Sequence, residues 1–396
     1  MKVLAVPPSS PTHLAAIVPL CWALRTAGHD VLVACQSDLV RPVRAAGLSA
    51  VEVGSAAPLD EEYRRHIHEQ MFPLTAYGRR DQPMGQALWE QVGGAWSNLA
   101  IAQAAGYLAL GRAWRPDLLL GDPAAVVGRV VGAALGIPTV SHRWGVDPTS
   151  GPFEVAARQA LAPLCAELGL PGLPEPTLVI DPCPPSIQVE DAPPGLPVRY
   201  VPFNGTGTIP DWLLTRSTRR RVCVCMGASV LQLTGPRPVR RALAALAGVD
   251  DIEVIVALTA QNREVVGELP AGVRMVEALP LHLFLGTCDL LVGAGGSGTG
   301  LTAVACGVPQ LVLPQWTDQF DFERRLTDAG AGFAIPDAAD QADVDGIRSA
   351  INKLLDDPGY TESTQRLRAE IGATPSAHAL VGVLEDLART HRPARP

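Results

Sequence analysis

Short apolar runs alternate along this chain with longer stretches whose apolar positions recur at helical spacing. Residues 3–6 form the first run. Residues 14–27 follow with helical periodicity, and Gly28 is the stop. Runs at 31–35 and 50–53 bracket a helical piece at 39–46. A long helix is predicted over 86–112, then a strand at 118–120 ending in Gly121-Asp122, a helix at 125–135 and a strand at 137–140. Further on the alternation resumes, with strands at 221–226, 252–256, 273–276, 290–292 and 310–313. The chain closes in helices near 341–355, 360–371 and 376–390. Repeated strand–helix–strand units imply parallel sheets with helices on both faces. The expected fold is therefore α/β, two doubly wound Rossmann-like domains facing a cleft.

Two stretches interrupt the pattern. Residues 55–85 are polar, carry Pro58, Pro73 and Pro83 and hold the cluster Arg64-Arg65-His66, which reads as a long surface excursion. Residues 181–215 are rich in Pro and Gly, as suits a connector between two bodies. The boundaries expected are a first domain over 1–200, a linker over 201–218 and a second domain over 219–375.

Composition narrows the function. With 396 residues and 47% hydrophobic content, the chain can build two or three sizeable cores. The formal net charge is −8 and no basic block occurs, which argues against nucleic acid as a partner. No apolar stretch is long enough for a membrane span, and the first residues enter a strand with no signal-like region before it. The eight cysteines are scattered without a CxxC pair and read as buried thiols. The expectation is a soluble protein of the reducing cytoplasm.

The candidate chemistry lies at strand ends, where doubly wound sheets bind ligands. The loop Gly293-Ala294-Gly295-Gly296-Ser297-Gly298-Thr299-Gly300 joins an apolar run to a helix-like stretch. Free amides at a helix start attract anions and glycines let a phosphate approach, so Gly295, Gly296, Ser297, Gly298 and Thr299 are candidates to hold a diphosphate. His13 follows the first strand, where a neutral imidazole can take a proton from a hydroxyl; it reads equally as a structural loop histidine. Asp122 closes another strand of the same half. It is either the carboxylate behind that histidine or a helix N-cap ahead of Pro123's turn. Ser229 offers a hydroxyl to phosphate or is an ordinary turn serine. Gln315, Asp318 and Gln319 combine amide and carboxylate groups suited to sugar hydroxyls, with an N-cap role at Asp318 as the competing reading. Trp144, Trp316 and Phe320 are candidates for an apolar acceptor wall or for the core.

Several longer segments resemble the GT-B glycosyltransferases that decorate bacterial polyketides and macrolides. They are PTHLAAIVPLCWALRTAGHDV (11–31), HRWGVDP (142–148), IDPCPPSIQ (180–188), VPFNGTG (201–207) and the stretch from Gly295 to Gly332. HRWGVDPTSGPF, the glycine loop and LPQWTDQFDF are most similar to a rhamnose-transferring branch. The resemblance implies direct inversion: a base deprotonates the acceptor hydroxyl, which attacks the anomeric carbon as the nucleoside diphosphate leaves. By resemblance His13 is that base and Asp122 its partner. The loop 295–299 holds the pyrophosphate, Asp318 and Gln319 grip the sugar, and Leu279 and Pro280 border the nucleobase. It also implies a TDP-deoxysugar as co-substrate, TDP-L-rhamnose by the likeness to the rhamnose-transferring branch, with a hydrophobic aglycone, no cofactor, no metal, and a homodimer. The first domain would bind the acceptor and the second the donor, with residues 376–396 returning to the first domain.

Two positions depart from the family pattern. Many relatives have His-His-Gly-Gly where this chain has Gly293-Ala294-Gly295-Gly296, and Ala294 cannot replace a histidine at the diphosphate. Ala278 stands where many have an aromatic residue over the base. Attack through carbon, a binding homologue without activity, and a dinucleotide-dependent oxidoreductase are the other readings. The last lacks a GxGxxG after the first strand and an acidic residue closing the second.

Overall fold

A computed structural model describes residues 1–54, 86–147, 149–215, 217–247, 249–277, 279–315 and 317–391. The expected excursion over 55–85, Ala278 and Trp316 lie outside the described residues. The first domain is built on β1 (Lys2–Val6), α1 (Pro11–Thr26), β2 (Asp30–Cys35), α2 (Ser37–Ala45), β3 (Ser49–Glu52) and α3 (Gln86–Trp114). It continues through β4 (Leu118–Gly121), α4 (Val127–Leu135), β5 (Thr139–His142), α5 (Pro152–Glu167), β6 (Leu178–Asp181) and β7 (Leu196–Pro197). Its seven strands are ordered β3-β2-β1-β4-β5-β6-β7 and every pairing is parallel.

The second domain begins with β8 (Arg220–Cys225), α6 (Ala228–Thr234), α7 (Arg237–Leu246), β9 (Ile252–Leu258), α8 (Ala260–Val266) and β10 (Arg274–Glu277). After α9 (Leu281–Phe284) come β11 (Leu290–Gly293), α10 (Ser297–Cys306), β12 (Gln310–Val312), α11 (Gln319–Asp328) and β13 (Gly332–Ala334). The six strands, in the order β10-β9-β8-β11-β12-β13, are again all parallel. Three helices close the chain: α12 (Val344–Asp356), α13 (Pro358–Ala373) and α14 (Val381–Thr390).

Local sequence explains these elements. α1 starts with Pro11, whose missing N–H costs nothing in a first turn, and stops before Gly28 at φ +88°. Its buried face, Leu14, Ile17, Val18, Cys21 and Leu24, packs on Val3, Ala5 and Val33 of the sheet. The other face of that sheet is covered by α3, α4 and α5, and α3 lies so close to α5 that a Cβ on Gly93 would come within 2.9 Å of Phe153 O.

The pattern missed α5, β6, β7 and β13. The last three are two to four residues long, β7 ends in Pro197, and β13 begins with Gly332, so none shows a period of two over a useful length. Part of the Pro/Gly-rich stretch is thus sheet: Leu196 pairs with Ile180. At the far end, Ala377, Leu380, Val381 and Leu384 join the apolar cluster of α1, so the last helix lies on the first domain. None of the described helices is long and apolar enough to cross a membrane.

Candidate active site

Parallel sheets direct all their strand carboxyl ends one way, and here the two sheets direct them at one cleft of about 770 Å³. His13 sits in the first turn of α1 and lines it. Its Nδ1 lies 2.9 Å from Oδ2 of Asp122, the residue that follows β4. Asp122 is fully enclosed while the imidazole keeps 16% of its side-chain exposure. The other oxygen, Oδ1, accepts the Ala124 N–H at 2.8 Å. Asp122 thus orients the histidine with one oxygen and closes a turn with the other; it is not the helix N-cap, because α4 begins only at Val127 with Val126 at its N-cap. With Nδ1–H donated to the carboxylate, the lone pair of Nε2 is the one left to act as a base.

Two indoles flank the ring. Trp144 has its ring 4.5 Å from the imidazole, tilted by 57°, and Trp96 of α3 stands 5.5 Å away, tilted by 51°. Burial pulls the His13 pKa down, but the charge and hydrogen bond of Asp122, with a contribution from Asp318, outweigh it and hold the group above the ordinary histidine value.

On the opposite wall, α10 begins beneath the glycine loop. Its hydrogen-bond ladder opens with Gly300 N–H donating to Gly296 O at 2.9 Å, so the amides of Ser297, Gly298 and Thr299 precede it. Gly296, Ser297, Gly298 and Thr299 all line the cleft, and a Cβ on Gly296 or Gly298 would meet nothing within 4 Å. Ser297 is 3% exposed and its Oγ has no hydrogen-bond partner. Bare amides, room for bulk and an orphaned hydroxyl together form a cradle for an anionic oxygen. Gly295 lies behind this wall: its φ is +84°, and a Cβ there would press to 2.7 Å from Val312. Ala294 is 1% exposed in the core of the second domain.

The remaining predicted residues divide. Ser229, exposed in the first turn of α6, Leu279, Asp318 and Gln319 line the cleft, as does Trp144. Gln315 does not: its amide donates to Leu313 O and Pro314 O, and it is 3% exposed. It supports Gln319 instead, donating its backbone N–H to Gln319 Oε1 at 2.8 Å. Pro280 is buried beside Leu279, and Phe320 is half-buried; neither lines the cleft. Asp318 has its carboxyl raised above the usual range by burial, against the hydrogen bond from the Thr317 hydroxyl and the charge of His13.

Several lining residues carry no sequence signal of their own. Trp96 reads as an ordinary apolar position of a helix, and Phe153 lies in α5, which the pattern missed, until the fold turns both to the cleft. Behind the site, Arg143 is locked between Asp147 at 2.9 Å and Asp181 at 2.6 Å, all three nearly fully buried. Burial would raise the Asp147 carboxyl, yet the Arg143 charge and hydrogen bonds from Ser150 and Thr149 hold it below the usual range. This network fixes the segment after β5 against α10, where a Cβ on Gly145 would lie 2.5 Å from Ser297 Cβ.

Two facing parallel-sheet domains, with a carboxylate-backed imidazole on one wall and an anion cradle on the other, define a glycosyltransferase of the GT-B fold. The chain belongs to the EryCIII-like family of these enzymes. Residues 22–227 match the model described as "Erythromycin biosynthesis protein CIII-like, N-terminal domain", and residues 240–387 match the corresponding C-terminal domain. An L-demethylnoviosyl transferase of Streptomyces niveus is 35% identical, with each chain covered over its full length. A 3-alpha-mycarosylerythronolide B desosaminyl transferase of Saccharopolyspora erythraea is 31% identical, again over the whole of both chains. Among solved structures, the spinosyn rhamnosyltransferase SpnG complexed with thymidine diphosphate is 46% identical. It superposes with a TM-score of 0.89, covering 97% of this chain and 100% of that one.

Proposed function

We propose that this protein is an inverting glycosyltransferase that moves a deoxysugar, L-rhamnose, from a thymidine diphosphate donor to a hydroxyl of a polyketide or macrolide aglycone. The observation that carries the reading is that the His13 imidazole and the free amides of Ser297 to Thr299 line one cavity from opposite walls. Relatives named for desosamine and demethylnoviose support a deoxysugar donor, and the likeness to a spinosyn rhamnosyltransferase favours rhamnose among such sugars.

In this reaction His13 Nε2 removes the proton of the acceptor hydroxyl, and Asp122 stabilises the imidazolium that forms. The acceptor oxygen bonds to the anomeric carbon as its bond to the diphosphate oxygen breaks, and positive charge spreads over the sugar ring between them. The α10 amides and the Ser297 hydroxyl receive the negative charge that grows on the leaving diphosphate. Because these dipoles are fixed in advance, the step calls for no metal ion. Asp318 and Gln319 hold the sugar hydroxyls, Leu279 borders the base, and Trp96, Trp144 and Phe153 form an apolar wall for the aglycone.

The test is incubation with TDP-L-rhamnose and a panel of macrolide and polyketide aglycones, with products weighed by mass spectrometry. A rhamnoside is expected, with its inverted anomeric configuration read by NMR. Turnover only with a different TDP-sugar overturns the rhamnose assignment, and no glycoside from any donor overturns the whole reading.

A further inference from the structure

A directed series of hydrogen bonds runs through the connector to the anion cradle. It starts at the backbone N–H of His282 in α9, which donates to Oδ1 of Asn204 at 3.1 Å. A backbone N–H can only donate, so this contact identifies Oδ1 and turns Nδ2 of the same amide the other way. Nδ2 donates to the Thr302 hydroxyl at 3.2 Å. That hydroxyl, its oxygen engaged as an acceptor, donates in turn to Gly298 O at 2.6 Å. Tyr200, also in the connector, donates its hydroxyl to the same carbonyl at 3.1 Å. Thr302 is fully buried and Tyr200 nearly so. The Thr302 bond alone is the usual back-bond of a helical threonine. The Asn204 amide and the Tyr200 hydroxyl come from outside the helix and make it part of a chain.

The Gly298 carbonyl and the Thr299 N–H belong to one planar peptide group and point in opposite directions. That N–H is among the free amides in the first turn of α10, and both residues line the cleft. A donor on a peptide oxygen draws electron density from its nitrogen and makes the N–H a stronger donor, and hydrogen bonds in series reinforce one another. We propose that Tyr200 and Asn204 are positioning residues for the leaving group: through the Gly298 carbonyl they strengthen the Thr299 N–H that meets the departing diphosphate. This rests on the glycosyltransfer reading above and adds to it residues that act from behind the cradle.

Such an effect grows with the charge on the ligand, and a loosened connector does not grade in that way. Above neutral pH, TDP carries one more negative charge than TDP-L-rhamnose, and thymidine carries none. Tyr200→Phe should weaken TDP by about twofold to fivefold, TDP-rhamnose by less, and thymidine not at all. Calorimetry reads the first two and NMR titration the third; retained thymidine binding also shows that the variant is folded. Replacing Tyr200 with a ring-fluorinated tyrosine, a stronger donor, should tighten TDP binding. Burial pushes the Tyr200 phenol up to about 12, so the fluorinated ring stays protonated. Asn204→Ala should lower the ratio of TDP to thymidine affinity, and lose that effect in a Thr302→Val background, where the chain is already cut. Equal weakening of all three ligands by Tyr200→Phe, a fluorinated ring that leaves TDP binding unchanged or weaker, or the same Asn204→Ala effect with and without the Thr302 hydroxyl overturns the proposal. Failure of the glycosyltransfer reading shows itself separately, as a native protein that binds TDP and turns over no sugar, while the graded binding still judges the chain.

Discussion

The His13 imidazole and the Asp122 carboxylate meet at 2.9 Å across 109 residues of sequence, each at the carboxyl end of a neighbouring strand. The pairing of β1 with β4 is what brings them together. His13→Ala is expected to lower turnover by about 10² to 10⁴ with TDP affinity kept. Asp122→Asn can still accept from Ala124, so it should fold, and lose about tenfold to a hundredfold through a misdirected imidazole. Steady-state rates with calorimetric TDP binding check both; native turnover in the alanine variant would remove His13 from the mechanism.

The same pair sets a pH dependence. A base works only when unprotonated, and the His13 pKa is held above 6.5. The acid limb of kcat/KM should therefore fall at a pH above that of an ordinary histidine. Asp122→Asn should move the limb to lower pH, because the carboxylate raises this group against the opposite pull of burial. Linkage gives the matching sign for stability. The contribution of the protonated pair is full below 6.5 and is lost as pH rises through the higher folded value. A pH–rate profile of both proteins reads the shift.

At the anion cradle, the buried Ser297 hydroxyl lacks a partner in the protein. Ser297→Ala should weaken TDP binding by about threefold to tenfold, the size of one neutral hydrogen bond, and leave the melting temperature unchanged or higher. Calorimetry and thermal melting together distinguish a ligand contact from a structural one.

Gly145 touches the same serine from the other domain. Its φ is not what excludes a side chain; space is, since a Cβ would sit 2.5 Å from Ser297 Cβ and 3.3 Å from Leu301. Gly145→Ala should cost about 1–3 kcal/mol through overpacking and widen the gap between the walls. A lower melting temperature with a raised donor KM is the expected outcome.

Arg143 holds two carboxylates that are nearly as enclosed as itself. Arg143→Met would strand both, for a loss of about 3–5 kcal/mol. Denaturant unfolding at neutral pH measures it. Because Asp147 titrates below its usual 3.8, its contribution to native stability is present above that value and fades as pH falls through the lower folded one.

The sequence made much of this site readable because its chemistry clusters at strand ends. His13 and the loop 295–299 are each adjacent to a run of apolar residues that only a buried parallel strand needs. Gln315 shows the limit of that logic. It follows β12 as Asp318 and Gln319 do, yet its side chain turns inward to Leu313 and Pro314. Side-chain direction just past a strand depends on a backbone path that no spacing encodes. Trp96 was illegible for another reason: on a helix, Val92, Trp96 and Ala100 form an ordinary apolar stripe, and only the packing of α3 on the sheet face opposite α1 brings one of them to the histidine. The Arg143 network joins residues 143, 147 and 181, and its longer span exists only once β5 and β6 are neighbours.

The last described helix lies on the first domain, with Leu380 and Leu384 against the α1 cluster and Arg199 N–H donating to Pro375 O at 2.7 Å. A chimera that swaps donor modules among homologues therefore needs two crossovers, one in the connector and one ahead of this tail. A single cut would pair a foreign tail with the native α1 surface.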